Sequence, residues 1–234
     1  MDYQREYIDK NPNMHLHDAK NKAAQIDNII PSNIMVSSML DIACGAGLVT
    51  IEMTKMIRPK YVVGIDISRK MIRKAGELDK NKIINWKAVD IFKYRHKTKF
   101  DLVTCIDIIE HINDDFGFLK KAAGMGKYIV IRTPLEDSLF SKMLRRKKIF
   151  DTWKDTEKRY GHIHHYDEKK LLKLIRRSEL VVIKETSVPM PRRSKLIWEI
   201  FRILFYPISI ISMEMMVRIS GGFKIYLLSK RERA

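Results

Sequence analysis

A chain of 234 residues with 45% hydrophobic and 31% charged residues is long enough for one sizeable core and too apolar to stay disordered. Two cysteines, Cys44 and Cys105, exclude a disulfide framework, and the charged opening Met1-Asp2-Tyr3-Gln4-Arg5-Glu6 carries no secretory signal, so a reducing cytoplasm is expected. The formal charge of +17 is uneven: residues 139–234 hold 23 Lys and Arg against 10 Asp and Glu, a net +13, which leaves 22 against 18, a net +4, for the first 138. That excess points to an anionic partner, or to solvated lysine-rich faces.

Residues 1–35 read as an N-terminal helical cap, weakly helical from 17 to 30 and stopped by Pro31. Tyr3 and Tyr7 stand one helical turn apart and either pack on the domain or cover a pocket. Strands and helices then alternate. Strands are expected at 36–43, 61–65, 83–88, 100–106 and 128–132, and helices at 48–57, 69–79 and 114–123. Ser68 is placed to cap the second of these helices and Asn113 the third. Such alternation implies right-handed crossovers and a parallel sheet covered on both faces, with ligands beyond the carboxyl ends of the strands. Asp41, Asp66 and Asp90 stand at three of those ends, although aspartate is a poor strand residue.

Residues 139–160 read as an irregular or helical insertion centred on Arg145, Arg146, Lys147 and Lys148. The run Gly161-His162-Ile163-His164-His165-Tyr166 follows, then a helix over 167–178, a sixth strand over 180–185 and a seventh over 223–229. Strand alternation would send His162 and His164 to one face and His165 to the other. The histidine cluster lacks a fourth ligand and a cysteine, so no metal is expected there. The chain parses as a single domain: the cap, a core over 36–186, an apolar helical insertion over 187–221, and a last strand and tail over 222–234.

Within that insertion, residues 194–219 are almost wholly apolar, with Pro207 as a break and Lys195, Glu199, Arg202, Tyr206 and Ser209 forming one narrow polar stripe. The charge-free run covers only 203–213, too short to span a bilayer. An amphipathic segment in the interface of an anionic membrane fits, helped by the cations at 192, 193 and 195; a lid or dimer face is the alternative.

The chemistry begins at Leu40-Asp41-Ile42-Ala43-Cys44-Gly45-Ala46-Gly47, a strand end entering a glycine turn before a helix. This stretch resembles the first motif of class I S-adenosylmethionine-dependent methyltransferases. Val63-Gly64-Ile65-Asp66-Ile67-Ser68 resembles their second motif and Ala88-Val89-Asp90-Ile91 their third. The stretch from Phe100 through Asp107, Glu110 and His111 to Ile112 is similar to their fourth, in the form common among quinone and small-molecule methyltransferases. The resemblance covers roughly 36–186 plus the last strand, and it implies an α/β, Rossmann-like, doubly wound seven-stranded sheet whose last strand is antiparallel.

It also implies roles. Asp41 with Ala43, Cys44, Gly45 and Gly47 would hold the methionine part of S-adenosylmethionine. Asp66 would accept both ribose hydroxyls, Ile67 would pack on the adenine, Asp90 would accept its amino group and the Ile91 backbone would meet a ring nitrogen. Asp107 would line the methyl-donor side. Ala43 departs from the family's usual glycine, a change that is tolerable if the position needs no positive φ. An NAD-type pyrophosphate site is disfavoured, because Thr50 stands where G-x-G-x-x-G requires its last glycine.

A proton acceptor is needed only for a hydroxyl-type substrate, and the candidates are His111, His162, His164, His165 and Glu110, chiefly His111, His164 and Glu110, with His111 alternatively bonding local backbone. The expected acceptor is a hydrophobic small molecule or lipid, quinone-like and methylated on oxygen or carbon. RNA is the alternative suggested by the basic tail, against which no aromatic residues interleave with the 145–148 cations as a stacking platform. A non-catalytic membrane-associated protein with a vestigial cofactor site is the third reading. Oligomeric state is not legible.

Overall fold

The structure, a computed structural model, describes residues 16–149, 151–190, 207 and 209–231. The expected Tyr3–Tyr7 pair and most of the apolar insertion, including Lys195, Glu199, Arg202 and Tyr206, lie outside the described residues. The strands are β1 (Ser38–Ile42), β2 (Tyr61–Asp66), β3 (Ile84–Ala88), β4 (Phe100–Ile106), β5 (Gly126–Leu135), β6 (Leu180–Pro189) and β7 (Gly222–Lys230). They form one sheet in the order β3-β2-β1-β4-β5-β7-β6, with β1, β2, β3 and β4 paired in parallel and β6 and β7 paired antiparallel. This is the expected Rossmann-like, doubly wound sheet of seven strands. Strand order reverses at β1 and β4, and the crevice beyond their carboxyl ends is where such sheets bind ligands.

Two compact units partition the described chain, one of residues up to 106 with 120–130, the other of 107–119 and residues from 131 onward. In the first, α1 (Leu16–Ile29) packs on α2 (Leu48–Ile57), burying Ala23, Ile26 and Ile29 at helical spacing. Helix α3 (Arg69–Leu78) starts at Ser68, whose side chain accepts from the Met71 amide as expected. The central strands read as near-continuous apolar runs because both faces are covered, and Met39, Leu40, Val63, Leu102 and Val103 are fully buried.

In the second unit, α4 (Asp115–Met125) opens its first turn there. Asp114, not Asn113, caps it: the Asp114 carboxylate accepts from the Gly117 amide at 2.8 Å, and an ionised acceptor meets the helix dipole better than a neutral amide. The 139–160 insertion resolves into α5 (Leu139–Arg146) and α6 (Thr152–Tyr160), capped by Ser138 and Asp151. Helix α7 (Glu168–Arg177) is capped by Asp167. Strand β6 runs to Pro189, so the insertion begins later than 187. The described end of that insertion is α8 (Met213–Ser220).

Helix α8 is fixed by charge. Lys224 on β7 is 1% exposed, and its ammonium meets Glu168 at 2.9 Å and Glu185 at 3.3 Å. Glu214 lies 3.8 Å from that ammonium and 2.9 Å from Arg218, which also pairs with Glu168. Carboxylates thus surround the buried ammonium and offset the cost of burying its charge.

Candidate functional site

The turn after β1 is shaped by backbone. Ala43, Gly45 and Gly47 all have positive φ, at 58°, 55° and 78°. Sequence reasoning allowed alanine at position 43 on the condition that φ there is negative, and that condition is not met. The Cys44 amide donates to the Ile65 carbonyl at 3.0 Å and the Gly47 amide to the Cys44 carbonyl at 2.9 Å, which folds the loop back over β2. A Cβ built on Gly45 would meet nothing within 4 Å, so the turn faces open space there. A Cβ on Gly47 would lie 2.4 Å from the Trp86 ring, and one on Gly64 also 2.4 Å. The Trp86 indole thus fills the volume those two glycines vacate, held by its N–H donating to Asp79 at 3.3 Å.

Asp41 stands behind this turn. It is 3% exposed, and its two carboxylate oxygens accept from the Thr50 and Thr104 hydroxyls, the latter at 2.6 Å. Burial pushes its pKa up to about 6 against the pull of those bonds. Through these two bonds the residue braces β1, α2 and β4 beneath the loop. The Cys44 thiol is likewise pushed up by burial and by the nearby Asp41 and Asp66 charges, so it is unreactive.

Asp66 ends β2. One carboxylate oxygen accepts from the Gly45 amide at 2.9 Å and the other from the Ser68 amide at 2.8 Å. Each oxygen carries two lone pairs. The two amides therefore leave the carboxylate able to accept two more hydrogen bonds, as a vicinal hydroxyl pair requires. Ile67, next along, is 63% exposed, an aliphatic surface at the same strand end. The Val89 amide donates to the Asp66 carbonyl at 2.8 Å, which brings the 89–91 turn to β2. Asp90 caps that turn, accepting from the Phe92 amide at 2.9 Å, and Ile91 is half-buried.

The second unit carries the titratable cluster. Asp107 has φ of 51°, its amide donates to the Arg132 carbonyl at 2.8 Å, and its carboxylate pairs with the buried Arg132 guanidinium, which also lies 3.7 Å over the Phe223 ring. Asp107 is thus ion-paired while its side chain stays partly exposed. Glu110 is buried, accepts from the Thr133 hydroxyl at 3.0 Å, and is pushed up to about 8 by burial and the Asp107 charge. Burial thus favours its protonated form.

His111 is held well below the ordinary imidazole value, at about 4, by burial and by His162 beside it. Its Nδ1 lies 3.2 Å from the Gly161 carbonyl. A carbonyl only accepts, so the proton sits on Nδ1 and the lone pair on Nε2. His164 Nε2 lies 2.9 Å from the Ile112 carbonyl, and its ring stacks on Tyr166; by the same reasoning Nε2 is a donor fixed to backbone and the lone pair sits on Nδ1.

The strand-like alternation expected over 162–166 is absent, because the Ile163 and His164 amides both donate to the Glu110 carbonyl and bend the segment. His162 and His165 instead converge on one carboxylate. Glu136 takes His162 Nδ1 at 2.7 Å, His165 Nδ1 at 2.9 Å and the Thr156 hydroxyl at 3.0 Å. Burial alone would raise Glu136, but these bonds overcome it and hold the carboxyl at about 2. The His162 ring meets His111 edge to face at 4.7 Å. Glu110, His111 and His162 bring ligand-type atoms within 4.8 Å of one another, so these three, rather than the 162–165 set, are where a cation or a shared proton could be held.

Comparison with known proteins decides what this scaffold is. A methyltransferase-domain family model matches residues 13–185, most of the chain. The chain belongs to the S-adenosylmethionine-dependent methyltransferases of class I. A ubiquinone biosynthesis O-methyltransferase from Pelagibacter ubique is 37% identical over 91 residues, which cover 38% of this methyltransferase and 37% of that relative. Well under half the length of such relatives is thus matched. Magnesium protoporphyrin IX methyltransferase from Synechocystis, solved with bound S-adenosylhomocysteine, superposes with a TM-score of 0.58 at 15% identity, covering 93% of this chain and 83% of that one. The N-methyltransferase NodS from Bradyrhizobium japonicum, also with S-adenosylhomocysteine, gives 0.58 at 16% identity, covering 91% and 87%.

S-adenosylmethionine is the cofactor of this methyltransferase. The residues present fit it: an open loop at Gly45, unused acceptor capacity at Asp66 and an exposed aliphatic side chain at Ile67. Glu136 was not singled out from sequence. An acidic pair at the end of the fifth strand, Glu136-Asp137, was the available signal, of the same kind that marked Asp41, Asp66 and Asp90.

Proposed function

We propose that this methyltransferase transfers the methyl group to a hydroxyl oxygen of a hydrophobic, ring-bearing acceptor, of the kind a quinone precursor presents. The observation that carries this is His111: a buried imidazole, neutral at working pH, with its proton pinned to Gly161 and its lone pair on Nε2. A hydroxyl is the acceptor class that needs such a group, because it must lose a proton as it gains a methyl. The sequence match to a ubiquinone biosynthesis O-methyltransferase supports oxygen as the accepting atom.

When bound, S-adenosylmethionine supplies a methyl on a positively charged sulfur, already activated for in-line displacement. In this reading the chain orients and deprotonates. The 43–47 turn receives the amino-acid end, Asp66 the two ribose hydroxyls, and Asp90 and the Ile91 backbone the adenine edge, with Ile67 against its face. Asp41 keeps the turn in place through Thr50 and Thr104. The acceptor hydroxyl gives its proton to His111 Nε2. A pKa near 4 suffices for this, because the hydroxyl proton becomes strongly acidic as the new C–O bond forms. Glu136 fixes His162 as the polar wall beside His111, and protonated Glu110 adds no competing negative charge.

The test is an acceptor panel with methyl-tritiated S-adenosylmethionine: a prenylated catechol, its fully O-methylated analogue and the matching aniline. Label should enter only the catechol, on oxygen by mass spectrometry, and His111→Gln should lower kcat about a hundredfold or more with KM for the donor unchanged. Labelling of the aniline alone, or an unchanged kcat in His111→Gln, would remove the proposal.

A further inference from the structure

Helix α5 carries a surface that the transfer reaction does not use. Between Asp137 and Asp151 there is no acidic residue, while Lys142, Arg145, Arg146, Lys147 and Lys148 are all basic. The cations divide into two sets. Arg145 meets Asp137 at 2.7 Å and Lys142 meets Asp167 at 2.7 Å, and these tie the helix to its own unit. Arg146, Lys147 and Lys148 are exposed and make no ion pair among the described residues. At 100° per residue, Leu139, Met143 and Arg146 fall within roughly a 60° arc. That arc is the outward one: Leu139 is 62% and Met143 44% exposed, and Ile149 just beyond is 66% exposed. The paired cations lie to its side. Helix α8 packs against α5, and Ile211 just before it is 82% exposed.

We infer that this face of α5, from Leu139 through Ile149, is a docking surface for an anionic lipid bilayer. Large aliphatic side chains in water beside cations without carboxylate partners are the composition of an interfacial helix: the apolar chains enter the acyl boundary while the charges stay at the headgroups. A nucleic acid would use the cations but leave Leu139, Met143 and Ile149 in water, and among the described residues from 139 to 149 no aromatic ring is exposed for bases to stack on. An acidic protein partner would match the charges equally well, and only the bilayer also matches aliphatic groups that face outward without a groove around them. The site expected from sequence, residues 192–219, lies mostly outside the described residues, and the surface on α5 is made by other residues of the chain. Docking here does not depend on which acceptor is methylated.

The test is co-sedimentation of the full chain with vesicles of equal phosphatidylglycerol and phosphatidylcholine, against vesicles of phosphatidylcholine alone, at low and high salt. The chain should pellet with the anionic vesicles and lose most of that binding at high salt. The triple variant Arg146→Ser, Lys147→Ser, Lys148→Ser should bind one to two orders of magnitude more weakly. Leu139→Ser with Met143→Ser should weaken binding about tenfold or more and leave the residue more salt-sensitive than the parent. All five positions are exposed, and thermal melts should match the parent. No pelleting of the parent, equal pelleting with neutral vesicles, or unchanged binding by both variants would overturn the inference. So would a triple variant that loses filter-retained tRNA while keeping its vesicle affinity, which would assign the cations to nucleic acid.

Discussion

Ala43 is a non-glycine residue in the turn after β1, and its φ of 58° has a measurable cost. An alanine in the left-handed region costs about 1–2 kcal/mol relative to the right-handed one, a cost glycine does not carry. Ala43→Gly recovers that strain. It gives back about 0.4–1 kcal/mol through the looser unfolded chain, and a few tenths more through one half-buried methyl. The balance is about 0.5 kcal/mol in favour of glycine. For a chain of this length that is a rise of roughly 1–2 °C in thermal midpoint. Ala43→Val puts a β-branched residue at the same φ and should lose about 2 kcal/mol or more. Both variants go through urea titration and scanning calorimetry, with the donor's affinity measured alongside, and the glycine variant should bind S-adenosylmethionine within about threefold of the parent. A glycine variant less stable than the parent, or a valine variant of equal stability, would show that the turn is not left-handed at this residue.

Other expectations follow from single contacts. Gly64→Ala sets a Cβ 2.4 Å from the Trp86 ring, so the indole must shift; a loss of about 1–3 kcal/mol and weaker donor binding are expected, readable by melting and by Trp fluorescence. Lys224→Met removes the buried ammonium from Glu168, Glu185 and Glu214, leaves Arg218 as the one cation paired with Glu168 and Glu214 among the described residues, and should cost about 3–5 kcal/mol by urea unfolding. Glu110 holds its proton in the fold up to a pKa of about 8 but releases it near 4.5 when unfolded, so between those values the folded state binds more protons and stability falls as pH rises. Glu110→Gln mimics the protonated form, so it should gain on the parent by on the order of 2–4 kcal/mol between pH 5 and pH 8, and by nothing at pH 4. His111 has the opposite sign: its folded pKa lies below the unfolded one, so its contribution is present above pH 6.5 and is lost as pH falls toward 4. His111→Gln should therefore flatten the acid limb of the melting profile.

Local chemistry was readable and long-range geometry was not. The order of elements, the Ser68 cap and the acidic strand ends follow from hydrophobic period, capping rules and the poor fit of aspartate to strands, and the structure has each of them. Asn113 was the expected cap where Asp114 serves, a choice between adjacent residues that only the Gly117 amide direction decides. The sign of φ at Ala43 depends on how the loop folds over β2 through Cys44 and Ile65, 21 residues apart in sequence, so no local pattern reveals it. The same holds for Glu136, whose two histidine partners stand 26 and 29 residues later. The histidine run resembled a strand by alternation, but the Glu110 carbonyl collects two successive amides there and turns His162 and His165 to the same carboxylate. Asp41 sits in the right motif yet faces inward to two threonines, because position along a strand does not tell which side the loop leaves open.

Titration calorimetry of S-adenosylmethionine into the parent chain and into Asp66→Asn bears most directly on the central claim, that the 43–47 turn and Asp66 form the methyl-donor site. Asparagine keeps the shape but replaces one acceptor oxygen with a donor, which opposes both an amide of the turn or of Ser68 and a ribose hydroxyl. The parent should bind one equivalent, and Asp66→Asn should bind at least about tenfold more weakly while still melting cooperatively. No heat with the parent, or equal affinity in the two proteins, would contradict the account.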